Sequence, residues 1–592
     1  MQTTTFCLGG ARGGSLSCLP AARPAGSPSW RWQRPRHTAL RCRQRQAPAA
    51  EAQHEVDDRS CRNPCGFYPS VWGDFFLHHS DPAASSQKQQ TWMVERVEEL
   101  RKDVSKLISS STTYLERMNL IVALERLCLD YLFEKDINVA LKQIYSANVS
   151  DFDLHTVAIW FYLLRKHGYK VSPDVFAKFL DEDGTFLTAT PRELLSLYNA
   201  AHFSIHGEII LDKAISFTKR SLESKLPYLE GLMAHEIQCA LEIPLPRRVA
   251  IYDVKIYIST YEKEATMNKS VLELAKVNFN LMQLQYQQEL KITTRWWNNL
   301  QVHSRLPFAR DRLVECYLWM LGVYYQPNCS RGRIILTFVI YTTTIIYDIY
   351  DSFGTSEECE LFTEWVESWD PKVAHVLPKC MQYALEKIMD CHQIIDNKLA
   401  SEEKYRMTYL RNFIVDLVRN YNKEVKMREE NFIPRSIEEH LQVSARTCAC
   451  HLLACTSLVG MDDIATKDSF EWILTVPKIV QKLCIIVRLL DDIMTYEREQ
   501  MTPHVASTMD SYMKQHNVSI EIARHKIQEL KEESWKDFNG EWLEPNIDQP
   551  RKLIEAIFNL TRTMEFMYNK DDNFTNCRNL KDIIRSLFVE TF

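Results

Sequence analysis

The sequence predicts an all-α protein with two helical domains behind a separate N-terminal leader. Apolar residues recur at helical spacing in one segment after another, and no alternating pattern lasts long enough to indicate a strand. Only nine glycines occur from Asp74 to the C-terminus, far fewer than a fold rich in tight turns requires. The helical pattern breaks around residues 243–248 and resumes near Asn268, so we expect a boundary close to residue 265 and domains at 51–265 and 266–592.

The overall composition excludes several classes of function. The 592 residues are 45% hydrophobic and 25% charged, as in ordinary globular proteins. A net charge of -6 gives no electrostatic reason to expect nucleic acid as a partner. The 17 cysteines contain no CxxC motif, so we interpret them as reduced thiols of an intracellular protein. The longest central apolar run, 334–347, is too short to span a bilayer, and we expect a soluble monomer without a membrane span.

The first fifty residues differ from the rest of the chain. They contain eight arginines, no lysine and no acidic residue before Glu51, together with many small and hydroxylated residues. This composition is typical of an organelle transit peptide and lacks the apolar stretch of a secretory signal. We therefore expect a leader at 1–50 that directs the protein to the plastid stroma. The alternatives are a disordered basic tail and a cytoplasmic protein.

The residues after the leader predict an apolar arm and then a series of amphipathic helices. The arm, residues 59–76, is rich in aromatic residues, Pro and Gly. It must cover an apolar surface, because its aromatic side chains would otherwise be exposed. Helices are predicted at 91–108, 118–145, 153–167, 191–203 and 208–224.

Two arginines precede a helix early in the second domain. A long helix is predicted over 268–300, and Arg310 and Arg312 then stand before a helix that begins near Leu313. Guanidinium groups at the entry to a helix suit an anionic phosphate. The alternative is a surface pair that Asp311 neutralises.

The acidic end of another apolar helix, predicted over 477–499, indicates metal chemistry. Asp491, Thr495 and Glu499 fall at i, i+4 and i+8, which places three oxygen-bearing side chains on one face. Such hard ligands suit a hard cation that keeps several waters, and Mg²⁺ fits best. Arg488, one turn earlier, adds a positive charge for a phosphate. The alternative is a solvated acidic helix end.

A second apolar helix, predicted over 334–347, also ends in carboxylates. Asp348 and Asp351 follow it, and Gly354 is placed to end the helix. Because buried carboxylates without a counter-charge are costly, two such helix ends indicate a shared cation. Facing metal-binding helix ends with arginines between them would bind a substrate that carries a diphosphate group.

The sequence resembles the plant class I terpene synthases, of the sesquiterpene type, over nearly all of the chain past residue 55. The resemblance rests on several blocks in order rather than on one motif. They are SVWGDFF (70–76), LRKHGY (164–169), HGE (206–208), RWW (295–297), FARDRLVECY (308–317), the aspartate-rich segment 348–351 and DDIMTYERE (491–499). The last block keeps the family's second metal motif, (N/D)Dxx(S/T)xxxE, intact.

The resemblance implies an N-terminal relic α-barrel without chemistry and a catalytic C-terminal class I helical bundle. The segment DEDG at 181–184 departs from the DxDD motif, so protonation-initiated cyclisation is not expected. The bundle would bind a prenyl diphosphate through three Mg²⁺ ions, with Mn²⁺ as the alternative metal. By this analogy Asp491, Thr495 and Glu499 hold one ion, and Asp348 and Asp351 hold the other two.

The resemblance also implies roles for residues around the substrate. Arg310, Arg312 and Arg488 would bind the diphosphate and neutralise it as it leaves, and a carbocation would remain. This cation needs a dry pocket with aromatic faces. The residues expected to shape that pocket and to take part in catalysis are Trp319, Thr447 with Cys448 and Ala449, and Asp572.

Three departures from the family pattern affect the expected activity. Tyr347 stands where the family's DDxxD motif has its first aspartate, and a neutral phenol is a poor Mg²⁺ ligand. Asp348 cannot take its place, because one step along a helix turns the side chain by about 100°. Residues 501–503 lack the family's basic, glycine-containing lid segment, and Phe574 replaces a tyrosine that many members have.

Three hypotheses therefore remain open at the level of sequence. The first is an active class I terpene synthase with altered metal binding, which releases diphosphate and forms a terpene hydrocarbon or alcohol. The second is a diverged member with little or no turnover because of Tyr347. The third is a non-catalytic helical scaffold. Substrate length is not settled, because the leader favours C10 or C20 diphosphates whereas Arg62-Asn63 before Trp72 departs from the tandem arginines of cyclic monoterpene formation. We rank farnesyl and geranylgeranyl diphosphate level and geranyl diphosphate close behind.

Overall fold

The N-terminal half of the described chain is built from nine α-helices that pack into a main apolar core and a smaller cluster formed by α6, α7 and α8. The computed structural model describes residues 70–79, 86–187, 189–370, 375–501, 504–544 and 548–592, so the predicted leader at 1–50 lies outside the described residues. The helices of this half are α1 Phe75–His78, α2 Gln87–Ser110, α3 Tyr114–Arg126, α4 Glu134–Tyr145, α5 Leu154–Lys166, α6 Pro191–Ala201, α7 Ile209–Lys225, α8 Gly231–Glu242 and α9 Ala250–Tyr261. Within the described ranges no β-strand occurs, and only one isolated bridge pairs Leu180 with Phe186.

The C-terminal half contains helices that are longer on average. These helices are α10 Lys269–Asn299, α11 Val302–Arg305, α12 Leu313–Val323, α13 Ser330–Asp348, α14 Ser356–Ser368, α15 Lys379–Lys398, α16 Arg406–Glu429, α17 Ile437–Thr447, α18 Cys450–Val459, α19 Lys467–Leu474, α20 Lys478–Glu499, α21 Thr508–His516, α22 Ile520–Trp542, α23 Arg551–Tyr568 and α24 Lys581–Phe588. The predicted boundary near residue 265 falls between α9 and α10. One buried core includes residues from both halves, so the boundary stays a prediction.

The local sequence explains where most of these helices begin. Thr190 caps α6 and exchanges side-chain and backbone hydrogen bonds with Glu193, while Pro191 occupies the first helical position. One prediction was wrong, because the helix expected over 118–145 is two helices. Cys128 adopts a left-handed backbone, with φ 55°, which ends α3. The residues around it are buried, so the apolar pattern continues through a break that it does not reveal.

The described part of the arm covers an apolar surface, as predicted. Trp72 and Phe76 are buried, and the Phe76 ring packs edge-on against Phe588, with 6.2 Å between ring centroids. Phe75 remains 40% exposed. The arm therefore joins the beginning of the described chain to its last helix.

The helix that carries the aspartate-rich segment is longer than predicted. α13 continues into a wider π turn, Ile349–Phe353. The segment Pro327–Phe353 is long and apolar enough to cross a membrane, but 89% of its most apolar window is buried inside the protein. It packs against α12, α15 and α18, so it serves as the central helix of the core.

Gly354 ends this helix as predicted, but for a different physical reason. Its φ of -74° is ordinary, and its N–H donates to the Ile349 carbonyl at 2.7 Å. A Cβ here would lie 2.7 Å from Cys359 Sγ and 3.1 Å from the Ile349 carbonyl oxygen. Close packing, rather than a left-handed backbone, therefore requires glycine.

A buried ion pair holds α10 against α13, and it gives a prediction about stability. Arg333 donates to both carboxylate oxygens of Glu289, at 2.9 and 2.6 Å, and neither side chain is more than 3% exposed. We expect Glu289→Gln to lower the free energy of unfolding by about 3–5 kcal/mol, because Arg333 would remain buried without its counter-charge. Chemical unfolding measures this change. The control is Glu134→Gln at the exposed Lys552–Glu134 pair, which should change stability by less than about 1 kcal/mol. Equal effects of the two substitutions would contradict the prediction.

Candidate active site

A cavity of about 130 Å³ lies between α12, α13, the junction of α17 and α18, α20 and α23. Seven of the eleven predicted site residues line it, although they come from positions spread over 263 residues of sequence. These seven are Arg310, Trp319, Thr447, Arg488, Asp491, Glu499 and Asp572. The cavity therefore brings together most of the residues that the motifs indicated.

α20 presents the predicted metal face. The helix starts after Pro477 and is buried along one side, which fixes the direction of its polar residues. Asp491 and Glu499 line the cavity, and Thr495 between them is 2% exposed. The Thr495 hydroxyl donates to the Asp491 carbonyl at 3.0 Å, so its oxygen retains lone pairs for a ligand.

The carboxylates of α20 carry more negative charge than their surroundings neutralise. Burial raises the pKa of Asp491 well above its ordinary value; Arg488 opposes this rise, and the charges of Glu499 and Asp572 add to it. Burial also raises the pKa of Glu499. A divalent cation between these groups would relieve their repulsion, so this set of residues fits a metal.

The aspartate-rich segment is arranged differently from the prediction. Asp348 is fully buried and does not line the cavity. Its Oδ1 accepts from Arg310 Nε at 2.8 Å, and its Oδ2 accepts from the Arg310 backbone N–H at 2.9 Å. Both oxygens are used in holding Arg310, so the geometry does not support Asp348 as a metal ligand.

Asp351 and Tyr347 complete this segment and do not form a metal pair. Asp351 is exposed and lies outside the cavity lining, whereas Tyr347 lines the cavity in place of the family's first aspartate. Burial raises the pKa of Tyr347 well above its ordinary value, and the charge of Asp351 adds to this rise. The phenol therefore stays neutral, and Asp351 is the one carboxylate of the segment that remains for a cation. The segment does not fit the two ions expected from the resemblance.

Arg312 has a role other than the predicted one. Its side chain is fully buried and does not line the cavity. Nε donates to the Phe574 carbonyl at 3.3 Å, and Nη2 donates to the Thr575 carbonyl at 3.4 Å. Arg312 thus anchors the C-terminal loop 571–576 instead of contacting a substrate.

Arg488 joins α20 to the end of α17. Nη1 donates to Asp491 and Asp492, both at 3.0 Å, and Nη2 donates to Thr447 Oγ1 at 3.3 Å. The Thr447 hydroxyl in turn donates to Glu424 at 2.6 Å. Burial raises the pKa of Glu424 to about 7. Sequence reasoning missed Glu424, because α16 carries no motif that would single it out.

The junction of α17 and α18 is a sharp break that turns backbone toward the cavity. Ala449 adopts a left-handed conformation, with φ 59°, and it lines the cavity together with Thr447 and Cys448. A non-glycine residue in this region is uncommon and is often found where function requires it. The structure therefore places this predicted helix break at the cavity wall.

Aromatic rings form a wall of the cavity beside the charged groups. Trp319 is 3% exposed, and its ring centroid lies 5.3 Å from that of Phe574. Tyr347 packs edge-on against Tyr421, with centroids 5.8 Å apart, and the Arg310 guanidinium lies 4.3 Å from the Phe574 centroid. Such rings offer negative faces to a cation while they exclude water.

Sequence reasoning also missed Arg498. It stands seven residues after Asp491 and therefore shares the face of α20 that carries the metal motif. Its guanidinium lines the cavity and donates to Asp572 at 2.6 Å. The i, i+4, i+7, i+8 pattern of the helix could have identified it, but the motif specifies oxygen ligands only.

A larger groove of about 820 Å³ lies along α16, lined by Trp369, Arg411, Asp416, Arg446 and their neighbours. It is open to solvent and includes none of the predicted site residues. Its arginines already contact protein groups: Arg411 donates to the Glu367 carbonyl, for example. We therefore place the candidate site at the smaller cavity, which contains the predicted residues.

Comparison with known proteins identifies the family. Residues 298–537 match the model described as terpene synthase family, metal binding domain, and residues 71–241 match the terpene synthase N-terminal domain. The chain belongs to the terpene synthase family. The predicted fold and the predicted enzyme class, a terpene synthase that acts on a prenyl diphosphate, are thereby confirmed, as is the presence of a domain for a divalent metal. The scaffold hypothesis is not supported.

Several relatives are similar over most of their length. The chloroplastic α-terpineol synthase of Zea mays is 57% identical over 90% of this chain and 86% of its own. The β-sesquiphellandrene synthase of Sorghum bicolor is 43% identical over 88% of this chain and 95% of its own. An α-terpineol synthase and a β-sesquiphellandrene synthase are thus both similar to this chain.

Solved structures show the same fold. A limonene synthase with 2-fluorolinalyl diphosphate superposes with a TM-score of 0.84 at 30% identity, covering 89% of this chain and 99% of its own. The isoprene synthase of grey poplar, in complex with three Mg²⁺ ions and dimethylallyl-S-thiolodiphosphate, gives 0.79 at 28% identity and covers 84% of this chain and 97% of its own.

The donor set of this chain differs from what three ions would require. In the described part of the chain, no three Asp, Glu, His or Cys side chains lie close enough to hold a metal together. The α20 set offers two carboxylates and a hydroxyl, and the aspartate-rich segment offers Asp351. The α20 set is therefore the place where a metal fits best.

Proposed function

We propose that this protein is a plastid class I terpene synthase that ionises geranyl diphosphate in the cavity between α13 and α20. The observation that carries the proposal is the composition of the cavity wall. Guanidinium groups, carboxylates and aromatic rings line the same cavity. This arrangement suits a substrate with a diphosphate head and an apolar tail that becomes a cation.

Two arginines and a bound Mg²⁺ would together supply positive charge to the leaving diphosphate. Arg310 and Arg488 are held in place by Asp348 and by Asp491 with Asp492, so their charges are preorganised for the leaving diphosphate. Mg²⁺ held by Asp491, Thr495 and Glu499 would supply further positive charge to the leaving group. We also propose that Asp351 assists in metal binding.

The aromatic wall then controls the fate of the carbocation. Trp319 and Phe574 present π faces that stabilise positive charge, and their rings pack against each other at the cavity wall. Asp572 acts as a positioning residue, because its Oδ1 accepts from the N–H groups of Phe574 and Thr575, both at 3.0 Å. Thr447, at the helix break, lines the same cavity and would help to shape the space for the prenyl tail.

The choice of geranyl diphosphate rests on one comparison. The maize relative at 57% identity is an α-terpineol synthase, and α-terpineol is a C10 alcohol. Farnesyl diphosphate is the second choice, since relatives near 43% identity include a sesquiterpene synthase.

One assay tests both the class and the chain length. Protein without residues 1–55 is incubated separately with C10, C15 and C20 prenyl diphosphates, in Mg²⁺ and then in Mn²⁺, and both terpene products and released diphosphate are measured. We expect a C10 product, mainly from geranyl diphosphate. A product from C15 or C20 alone would contradict the chain length, and no diphosphate release from any substrate by folded protein would contradict the activity.

The aromatic wall gives a second prediction. We expect Trp319→Leu to lower kcat for the preferred substrate by about tenfold, because one desolvated cation–π contact contributes about 1–2 kcal/mol. Trp319→Phe keeps a π face, so the rise in its activation free energy should be less than half of the rise caused by Trp319→Leu. Steady-state kinetics and product analysis measure both variants. If Trp319→Leu and Trp319→Phe were equally impaired, shape rather than the π face would explain the loss.

A diverged member with little turnover remains the second candidate function. The observation that favours it is the aspartate-rich segment, in which Tyr347 is neutral and Asp348 is bound to Arg310. Such a protein would bind diphosphate but release little of it. Binding of inorganic diphosphate, measured by titration calorimetry, together with no product in the assay above would distinguish it.

We also propose that the leader at 1–50 carries the protein into the plastid stroma, where it acts as a monomer. The support is the composition of the leader and the chloroplastic maize relative. Import of the full chain into isolated chloroplasts, followed by fractionation and size determination of the mature protein, tests both points.

A further inference from the structure

Arg498 is the one cavity residue whose charge the proposed mechanism does not use. It lies on the metal face of α20, directly before Glu499, and its side chain is 46% exposed. Its partner Asp572 is 5% exposed and accepts its hydrogen bond through Oδ2. A half-exposed cation therefore lies beside the buried carboxylate of Asp572.

A purely structural role does not explain Arg498. The C-terminal loop that Asp572 organises is already held by Arg312, which donates to the Phe574 and Thr575 carbonyls. Asp572 Oδ1 closes the turn of the same loop without help from Arg498. The Arg498–Asp572 bond is thus an additional contact across the mouth of the cavity.

The surrounding charges indicate what this contact does. Asp491, Glu499 and Asp572 all line the cavity, and Arg498 lines it with them. Arg488 lies at the other end of the face, one turn before Asp491, where it pairs with Asp491 and Asp492. Arg498 is therefore the counter-charge for the Glu499 end of the metal face while no metal is bound.

Binding of a metal ion and a diphosphate would reverse the electrostatic forces on the Arg498 guanidinium. A divalent cation at the α20 carboxylates repels the guanidinium, whereas the diphosphate oxygens attract it. Arginine has a long flexible stem and a planar set of donors that matches phosphate geometry, so it can change partner at small cost.

We propose that Arg498 is a switching counter-ion, which neutralises the carboxylates of α20 before the metal binds and turns onto the substrate diphosphate afterwards. This inference rests on the proposed diphosphate substrate and adds a residue to its binding site. It also provides a positive charge in a chain whose aspartate-rich segment has lost a metal ligand.

The proposal predicts effects of opposite sign on two binding equilibria. In Arg498→Gln, Mn²⁺ alone should bind about three- to tenfold more tightly, because a competing cation is gone, and inorganic diphosphate in the presence of Mg²⁺ should bind about tenfold or more weakly. Electron paramagnetic resonance measures the first and titration calorimetry the second. Arg498→Lys keeps the charge and should stay near the unmodified protein in Mn²⁺ affinity.

The matched control is Arg524→Gln, at a surface pair in which Arg524 contacts Glu497 at 2.9 Å outside the cavity. It should change neither equilibrium by more than about twofold. Weaker binding of both ligands by Arg498→Gln, or no change in either, would overturn the proposal and leave Arg498 as a loop contact. Neither measurement requires terpene formation. Opposite effects in a protein that yields no product would therefore support the switch and contradict the proposed function.

Discussion

Replacing Asp491 by asparagine should lower kcat/KM for the preferred prenyl diphosphate by about 10²- to 10³-fold. This is the scale of loss when one preorganised group that stabilises developing charge is removed. Asp491 is one of two carboxylates on the metal face of α20, and no carboxylate of the aspartate-rich segment lines the cavity to replace it. Steady-state kinetics over a range of Mg²⁺ concentrations measures the loss, which added Mg²⁺ should reverse only in part.

The same substitution should not destabilise the protein. Because burial raises the pKa of Asp491, its ionised form is unfavourable in the folded state, and a neutral asparagine removes that cost. The control is Glu497→Gln, at a carboxylate of the same helix whose side chain is 78% exposed and which lies outside the cavity. It should retain activity within about twofold. An active Asp491→Asn, or an inactive variant that is also unfolded, would remove the support for the metal role of this face.

The two metal-binding segments show how far the sequence predicts the site. On α20 the ligands recur within one helix, so the period of 3.6 residues was enough to place Asp491 and Glu499 on one face. At the end of α13 the outcome depends on Arg310, which lies 38 residues earlier in the chain and holds both oxygens of Asp348. Local spacing contains no information on such a partner.

Burial and contacts with distant residues account for the other differences between the predicted and the observed site. Arg312 precedes α12 as the sequence predicts. Its guanidinium nevertheless binds backbone carbonyls of the C-terminal loop 571–576, which packs over it, and does not line the cavity. Glu424 has no motif, and burial in the folded protein raises its pKa although Arg488 and Thr447 both oppose the rise. The fold class followed from periodicity. Which arginines line the cavity and which are buried outside it depends on contacts between distant parts of the chain.

Restoring the missing aspartate should raise activity where the metal is scarce. Tyr347 lines the cavity four residues before Asp351, and its ring lies 5.2 Å from the Arg310 guanidinium. A carboxylate at this position would face the cavity beside Asp351 and an existing positive charge. We expect Tyr347→Asp to increase turnover at limiting Mg²⁺ by about tenfold, the scale on which groups of the ligand shell change metal affinity. Rates over a Mg²⁺ titration measure it.

Tyr347→Asn is the matched control, since it removes the same ring without adding a charge. Both variants lose the aromatic contacts of Tyr347 with Tyr421 and Phe574, so both should unfold more easily, and their rates are compared at a temperature where each is folded. The gain should disappear when Asp351→Asn is added to Tyr347→Asp, because a lone new carboxylate would have no second ligand. Equal rates for Tyr347→Asp and Tyr347→Asn at limiting Mg²⁺ would show that the phenol is not what restricts metal binding, and the cause would then lie with Asp348, whose oxygens remain bound to Arg310 in every variant.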